Sequence, residues 1–536
     1  MIATHDAVSM FRLPNNYKHF QNYMFSSSKE FPKTNFSMCC GIIIYSRLAF
    51  YGKIQAGYLY AVVGFTIMSV LDELLKVRGC HNLEPGEVHI SGTDPVMDSP
   101  FKLGEVAAAA HAGVGVAVND IWELKTGRRQ KVQISVRSAA ASLRSNKYIA
   151  IKRKNGGYRR LVDEEHEFNR KLNGVYRARD GRWVLPHFGL NHLRDRMLCL
   201  LGAHPEQSSI ATAVSKWDAI DLENAIAQMG LCGGMIRTHS DWLAESHGKI
   251  LSKKPVLEVI KIGSSEPEPI LSGNRPLSDV KVLDLTRILA GPIAARTLAE
   301  HGADVLMVTA KHLPQVHAYV ADTSHGKRSC FIDIKKNEGS RQLKDLVNRA
   351  DVFSQGYRPR AMEKLGFGPK DLSQIRPGLI YLSINCYGFD GPFSNRGGWE
   401  QVAQIMTGLT TEDAVSTQTK PPKLLPAAAN DYITGYLGAY GALLALARRA
   451  KEGGSYHVRV SLCQTAMMLY RNGKTKSGMV PEELSIGEID DLSIFSKTHL
   501  GEIKHLAPVL DLSETPPFWE LSTPKLGENS GEWLTS

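Results

Sequence analysis

Downstream of residue 276 the chain alternates short apolar runs with amphipathic stretches, and that alternation restricts its fold more than any other feature. "VKVLDL" reads as a buried strand, "TRILAGP" as a turn, "IAARTLAEHG" as a helix and "ADVLMV" as a second strand. "GKRSCFIDIK" supplies a third strand, and "SRQLKDLVNRA", "DVFSQGY" and "GLIYLSINCYG" continue the order. Strand, helix, strand at this spacing needs right-handed crossovers, which predicts an α/β fold with a doubly wound, parallel, Rossmann-like sheet. Ligands of such sheets bind beyond the carboxyl ends of the strands. Those ends are "TRILAGP", "DIKK", "SQGYRPR" and "CYGFDGP", all turn-rich and two of them basic.

At 536 residues the chain is too long for one ordinary domain. A formal charge of +10 implies anionic partners. There is no long basic tract, finger spacing or basic heptad helix, so the charge suits a phosphate-bearing small molecule better than nucleic acid. Eight cysteines without a C-x-x-C pair suggest reduced thiols in a cytoplasmic type of compartment. His187 and His192, like His312 and His317, lie five apart, so neither pair has ligand spacing on one helix face, and no metal site is expected. The uncharged stretch from Ile54 to Leu71 sits at the lower length limit for a membrane span. Its Gly, Tyr, Thr and Ser content and the amphipathic "DELLKVRG" that follows favour a core helix, so a membrane role is not expected.

The chain also echoes itself. Residues 107–143 lie on 433–469 without a gap, at an offset of 326 (433 − 107). Gly115 and Gly441, Lys125 and Lys451, Gly127 and Gly453, Val132 and Val458, and Ser135 and Ser461 are then identical pairs. Each stretch reads as a small-residue helix, a Gly turn, an alternating strand and an Ala-rich helix. The same offset sets Glu105 opposite Asp431, so an acid opens the helix in both halves. A Pro-, Gly- and Ser-rich stretch at 263–276 reads as a linker. The expected organisation is an unassigned extension over 1–65, a first half over 66–262 that includes a smaller α+β domain, and a second half over 277–536.

Asp431 stands at the mouth of an otherwise nearly uncharged segment, "PAAANDYITGYLGAYGALLALARR". By residue type alone it reads as a helix cap, since Asn and Asp accept the unpaired N–H groups of a helix start.

The order of motifs adds a second reading. "PLSDVKVLDLTRILAGPIAARTLAEHGADVLMV", "GKRSCFIDIKK", "ADVFSQGYRPRAMEKLGFG", "RPGLIYLSINCYGFDGPFSNRGGWEQVAQIMTGL" and "NDYITGYLGAYGALLALARR" resemble, in order, the class III CoA-transferases, the CaiB/BaiF family. The first half resembles a partial copy of the same family, without an opening strand or AGP turn, and the second half is short of most of the small domain. The resemblance implies two partial copies in one chain. Since family members are interlocked homodimers, it also implies either a homodimer or an intrachain pseudo-dimer.

What the resemblance implies for residues is specific. Asp431 falls on the family's nucleophilic aspartate, and Glu400 lies where transferases carry an acid near it. The residue before Glu400 is Trp399, where racemases of the family carry a proton-moving histidine, so transfer is favoured over racemisation. Coenzyme A is expected beside Ile288 and Leu289, near Ile332 and Lys335, and at Lys364. For each lysine a solvated surface charge is the alternative. No permanently bound cofactor is implied; the coenzyme A thioester is a substrate, and a carboxylic acid is the acceptor. Glu105 has the wrong length for the family's aspartate, so the first half reads as catalytically silent. The function expected is an acyl-CoA:carboxylate CoA-transferase, with racemase-like acyl-CoA chemistry and a non-catalytic acyl-CoA-binding protein as alternatives.

Overall fold

Seven strands, numbered β1 to β7 in chain order, build the main sheet: Leu257–Gly263, Lys281–Asp284, Asp304–Thr309, Lys327–Phe331, Val352–Gln355, Ile380–Asn385 and Ser455–Ser461. Of these, β2 to β6 carry the apolar runs read above. Their order across the sheet is β4-β3-β2-β5-β6-β7-β1. All neighbours run parallel except β7 and β1. Val282 of β2 pairs with Val305 on one side and Val352 on the other, so the sheet's centre is aliphatic on adjoining strands. A strand covered on both faces has no reason to alternate, which explains the continuous apolar runs. From β2 to β7 this is the doubly wound Rossmann arrangement, in which the strand order reverses between β2 and β5.

The structure is a computed structural model that describes residues 69–80, 82–270, 273–410, 421–475 and 480–534. The expected extension over 1–65 and nearly all of the uncharged stretch from Ile54 lie outside the described residues; its last residues, 69–71, are helical and continue a helix to 78. Among the described residues no helix is long and apolar enough to cross a membrane.

Four helices position the site: α1 (Leu103–Thr126), α2 (Ala290–Ala299), α3 (Glu400–Thr407) and α4 (Ala429–Glu452). α1 and α4 are each 24 residues long, and their bounds differ by the offset of 326 read from the sequence (429 − 103). Both are buried along nearly their whole length and pack on one another, with the His111 and Tyr436 rings 3.9 Å apart. The identities between the two stretches have local reasons. A Cβ on Gly115 would meet Val132, and one on Gly441 would meet Val458, both closer than 3.0 Å, so each helix sits directly on the strand that follows it. Ser135 and Ser461 each cap the next helix, accepting the N–H groups of Ser138 and Gln464.

The two stretches do not belong to separate bodies. β1, which precedes the expected linker, completes the main sheet by pairing with β7. In return, Gly501–Leu506 pairs with Ala150–Lys152, and Asp511–Leu512 pairs with Val132–Ser135. A smaller three-stranded antiparallel sheet of Tyr176–Arg177, Trp183–Pro186 and Gly233–Met235 has its own core under Phe188, Leu193 and Met197. It is joined to α3, where Arg237, two residues past its last strand, donates its N–H to the carbonyl of Ile405.

Candidate active site

A cleft of about 290 Å³ opens where the strand order reverses, beyond the carboxyl ends of β2, β5 and β6. One wall is the loop Leu285–Leu289 and the first turn of α2; a second is Gly356–Arg358; a third is Arg396–Trp399. The small sheet's domain closes it with Leu190, His192, Leu193 and Cys232. Asp431 lies in this cleft.

Asp431 is the third residue of α4, which starts at Ala429 with Ala428 as its cap and no side-chain cap hydrogen bond. The cap reading of Asp431 therefore fails, for a physical reason: another acid has taken the position. Glu400 reaches over from the first residue of α3, and its carboxylate accepts the N–H of Asp431 at 2.6 Å and of Asn430 at 3.2 Å. It also accepts the amides of Asn430, at 3.0 Å, and Gln404, at 2.8 Å. Glu400 is thus both a helix-start acid of α3 and the anion that satisfies the start of α4. The Asp431 carboxylate is left facing the cleft, 7% exposed.

Burial, and then the nearby Glu400 charge, push Asp431 well above the usual carboxylate range. Burial raises Glu400 to about 7, against the lowering effect of its four hydrogen bonds. The two titrate as a pair, with the charge of either opposing the charge of the other. An ionised carboxylate in so dry a place is poorly solvated, which makes it a strong nucleophile toward an electrophile that fits the cleft.

The next residue anchors the start of α4. The Tyr432 hydroxyl accepts the N–H of Asn146 at 3.0 Å and donates to Asp322 at 2.9 Å, and Asp322 in turn accepts from Arg296 of α2 at 2.9 Å. Gly435 lets α4 lie against α2, since a Cβ there would meet Ile293 and the Ala290 carbonyl at 2.6 and 2.7 Å. Ile288 has φ 75°, a left-handed backbone that a β-branched residue seldom adopts. That strain sits in the turn which carries Arg287, Ile288 and Leu289 into the cleft beside Asp431, and strain of this kind concentrates at functional sites.

The structure brings Asp431, Glu400, Ile288 and Leu289 together, but not the other three expected residues. Ile332 is buried in a core cluster with Leu306, Leu343 and Trp533, and Lys335 and Lys364 are exposed outside the cleft lining. In sequence, Lys335 follows β4 and Lys364 lies in the short turn Glu363–Leu365 after β5. Trp399 forms an apolar wall, stacked on His187 with ring centroids 4.7 Å apart. Sequence reasoning missed Gln404, although its place four residues after Glu400 on one helix face was a signal. It also missed Leu190, His192 and Cys232, which tertiary folding alone delivers. Glu105 is fully buried, pairs with Lys102 at 3.1 Å and accepts the N–H of Asp94 at 3.2 Å. Among the described residues no cluster of three or more His, Cys, Asp or Glu could hold a metal.

Residues 277–498, which hold the main sheet from β2 onward and both Asp431 and Glu400, match the family model described as CoA-transferase family III. Over that stretch the chain is similar to CoA-transferase family III. Similarity to individual proteins extends the likeness beyond that stretch. An acetyl-coenzyme A transferase, nodX, of Hypoxylon pulicicidum is 32% identical over 54% of this chain and 53% of its own length. An acyl-CoA transferase of Gibberella moniliformis is 29% identical over 70% of this chain and 72% of its own. The human succinyl-CoA:glutarate CoA-transferase is 32% identical over 37% of this chain and 48% of its own. The chain thus spans about half the length of the first of these relatives.

Proposed function

We propose that this chain is a family III CoA-transferase, acting as an acyl-CoA:carboxylate CoA-transferase whose nucleophile is Asp431. The observation that carries the reading is the division of labour at the start of α4: Glu400 satisfies the backbone, and among the described residues the Asp431 carboxylate has no hydrogen-bond partner in the cleft.

The Asp431 carboxylate attacks the thioester carbonyl of an acyl-CoA. The C–S bond breaks, leaving an aspartyl–acyl anhydride and the CoA thiolate. The thiolate attacks the aspartyl carbonyl, forming an enzyme–CoA thioester and releasing the donor acid as its carboxylate. The acceptor carboxylate attacks that thioester and expels the thiolate. The thiolate then attacks the acceptor's acyl carbonyl, giving the new acyl-CoA and restoring Asp431. No net proton is needed. The start of α2 carries no side-chain cap, and the N–H groups of Ala290 and Gly291, which line the cleft and have no acceptor among the described residues, are suited to the oxyanions that develop.

The thioester end of CoA is assigned to Ile288 and Leu289. Lys335 and Lys364 are assigned to its phosphates. Catalysis is assigned to the second half alone, since Glu105 is sealed by Lys102 and Asp94. Racemisation finds no support at Trp399, an indole that cannot exchange an α-proton.

The test is intact-protein mass after incubation with a panel of acyl-CoAs, comparing wild type with Asp431→Asn. An acyl or CoA adduct on wild type alone is expected. Binding of CoA with no adduct on either protein under any donor would replace transfer with the acyl-CoA-binding reading.

A further inference from the structure

Apart from the main sheet, four short strands form an antiparallel sheet in the order Ser493–Thr498, Gly501–Leu506, Ala150–Lys152 and Tyr158–Arg160. Its register sorts the side chains. Phe495, Lys504, Ala150 and Arg160 lie across from one another; two residues along, Lys497 faces Glu502 and Lys152 faces Tyr158. Directly opposite residues share a face, so these form one side of the sheet. The other side is packed. It carries Ile503 and His505, both buried, with the His505 ring stacked on that of His325 at 3.8 Å.

The solvated face of an antiparallel sheet is ordinarily polar, yet this one carries two aromatic rings. Phe495 is 58% exposed and Tyr158 36%, and their centroids lie 5.5 Å apart. The Tyr158 hydroxyl donates to Glu502 at 2.6 Å, which holds the pair across the sheet. Cations surround the rings. Lys152 pairs with Glu502 at 3.1 Å and Lys504 with Asp490. Gly156 and Gly157, with φ 85° and 72°, close the hairpin between the last two strands and leave Arg153 and Lys154 exposed in its loop. Among the described residues Arg153, Lys154 and Arg160 have no carboxylate partner. The next acid in the chain, Asp163, is engaged elsewhere, accepting the N–H groups of His166 and His317.

We propose that this face docks on an anionic lipid bilayer, with the Tyr158–Phe495 pair entering the headgroup layer and the hairpin cations meeting the lipid anions. An apolar projection ringed by basic residues suits such a surface. The rings lose water at the interface, and the cations are attracted by its negative potential. Docking of this kind needs no spanning helix. Single-stranded nucleic acid is the other polyanion, and the rings decide against it. Bases stack on separately exposed ring faces. Here the two rings pack on one another at a tilt of 40°, leaving one compact apolar projection. The inference does not depend on the transfer reading.

The test is cosedimentation with vesicles of phosphatidylcholine, with and without phosphatidylserine, at about 0.1 M salt. Wild type should sediment with the serine-containing vesicles and not with the neutral ones. Arg153→Glu with Lys154→Glu should weaken partitioning at least about thirtyfold, since each cation near an anionic surface contributes about fivefold. Phe495→Ser should weaken it about three- to tenfold by removing apolar area. Lys249→Glu with Lys253→Glu, two exposed cations outside this sheet, controls for net charge and should cost far less. Melting curves establish that each variant folds. The proposal is overturned if wild type ignores both kinds of vesicle or binds them equally, or if the two double reversals cost the same. It is also overturned if single-stranded RNA binds this face more tightly than the vesicles do, or if wild type is a dimer that Phe495→Ser converts to a monomer. CoA should bind the hairpin variant as it binds wild type. Weakened CoA binding would assign these cations to the nucleotide end of CoA and remove the lipid surface as their partner.

Discussion

Asp431 and Glu400 carry opposite costs and benefits. Each is a carboxyl group buried near the other, and each has a folded-state pKa above its ordinary value, 3.8 for Asp431 and 4.5 for Glu400. Folding therefore favours their protonated forms. The stability they contribute is present in full below those ordinary values and is lost as pH rises through the folded values, about 7 for Glu400. Replacing Asp431 with Asn removes one of the two charges and relieves the other. The variant should melt later than wild type, by about 1–2 kcal/mol at about pH 8 and by less at about pH 5, a stability gained where activity is given up. Thermal melts at the two pH values check this, and an equal difference at both would remove the repulsion argument. In catalysis the sign is reversed. Only ionised Asp431 attacks, so the rate of adduct formation should fall with decreasing pH, with an acid limb displaced upward from that of an ordinary aspartate.

At the scale of elements, α1 and α4 explain why the internal echo was readable. The identical positions are those where the fold tolerates one residue type: a glycine under a valine of the next strand, and a serine that caps the next helix. Substitution there is costly in a definable way. Gly441→Ala places a methyl against Val458 and should cost about 1–3 kcal/mol, more than alanine's better helix propensity returns. Val458→Ala in the same chain should recover part of that loss, because the two side chains compete for one space. Denaturant melts of the two single variants and the double variant measure the coupling; strictly additive effects would show that the contact is not what fixes the glycine. The main-sheet strands were legible for a related reason, since strands covered on both faces leave continuous apolar runs. The start of α4 was harder. Sequence places an acid there, but whether it caps the helix or faces a cleft depends on Glu400, 31 residues earlier in the chain and joined to Asp431 only by a 2.6 Å hydrogen bond.

For the whole molecule, the division into halves at 263–276 describes the order of the sequence better than the arrangement in space. β1 precedes that stretch yet completes the main sheet against β7, and the strands Gly501–Leu506 and Asp511–Leu512 return to pair with residues from the first half. No local pattern could reveal these exchanges, because strand pairing over hundreds of residues leaves periodicity unchanged. The cleft has the same origin: Leu190, His192 and Cys232 join Asp431 only because the chain crosses back. The Glu223 carboxylate, fully buried, accepts from Arg237 at 2.7 Å and from Arg396 at 2.9 Å, and so ties the small domain to the loop that carries Trp399 and Glu400. Breaking the peptide chain between the halves should therefore not separate them. A specific protease site placed in the stretch 264–270, which forms no helix or strand, should be cut to completion under native conditions. The two fragments should then elute as one particle, still bind CoA, and come apart only in denaturant. If they separate in native buffer, the exchanged strands contribute less than the covalent link, and the site would have to be counted as belonging to the second half alone. If they remain together and Asp431 still forms its adduct, the cleft is held by pairing and packing across the two halves, as an interface between subunits would be.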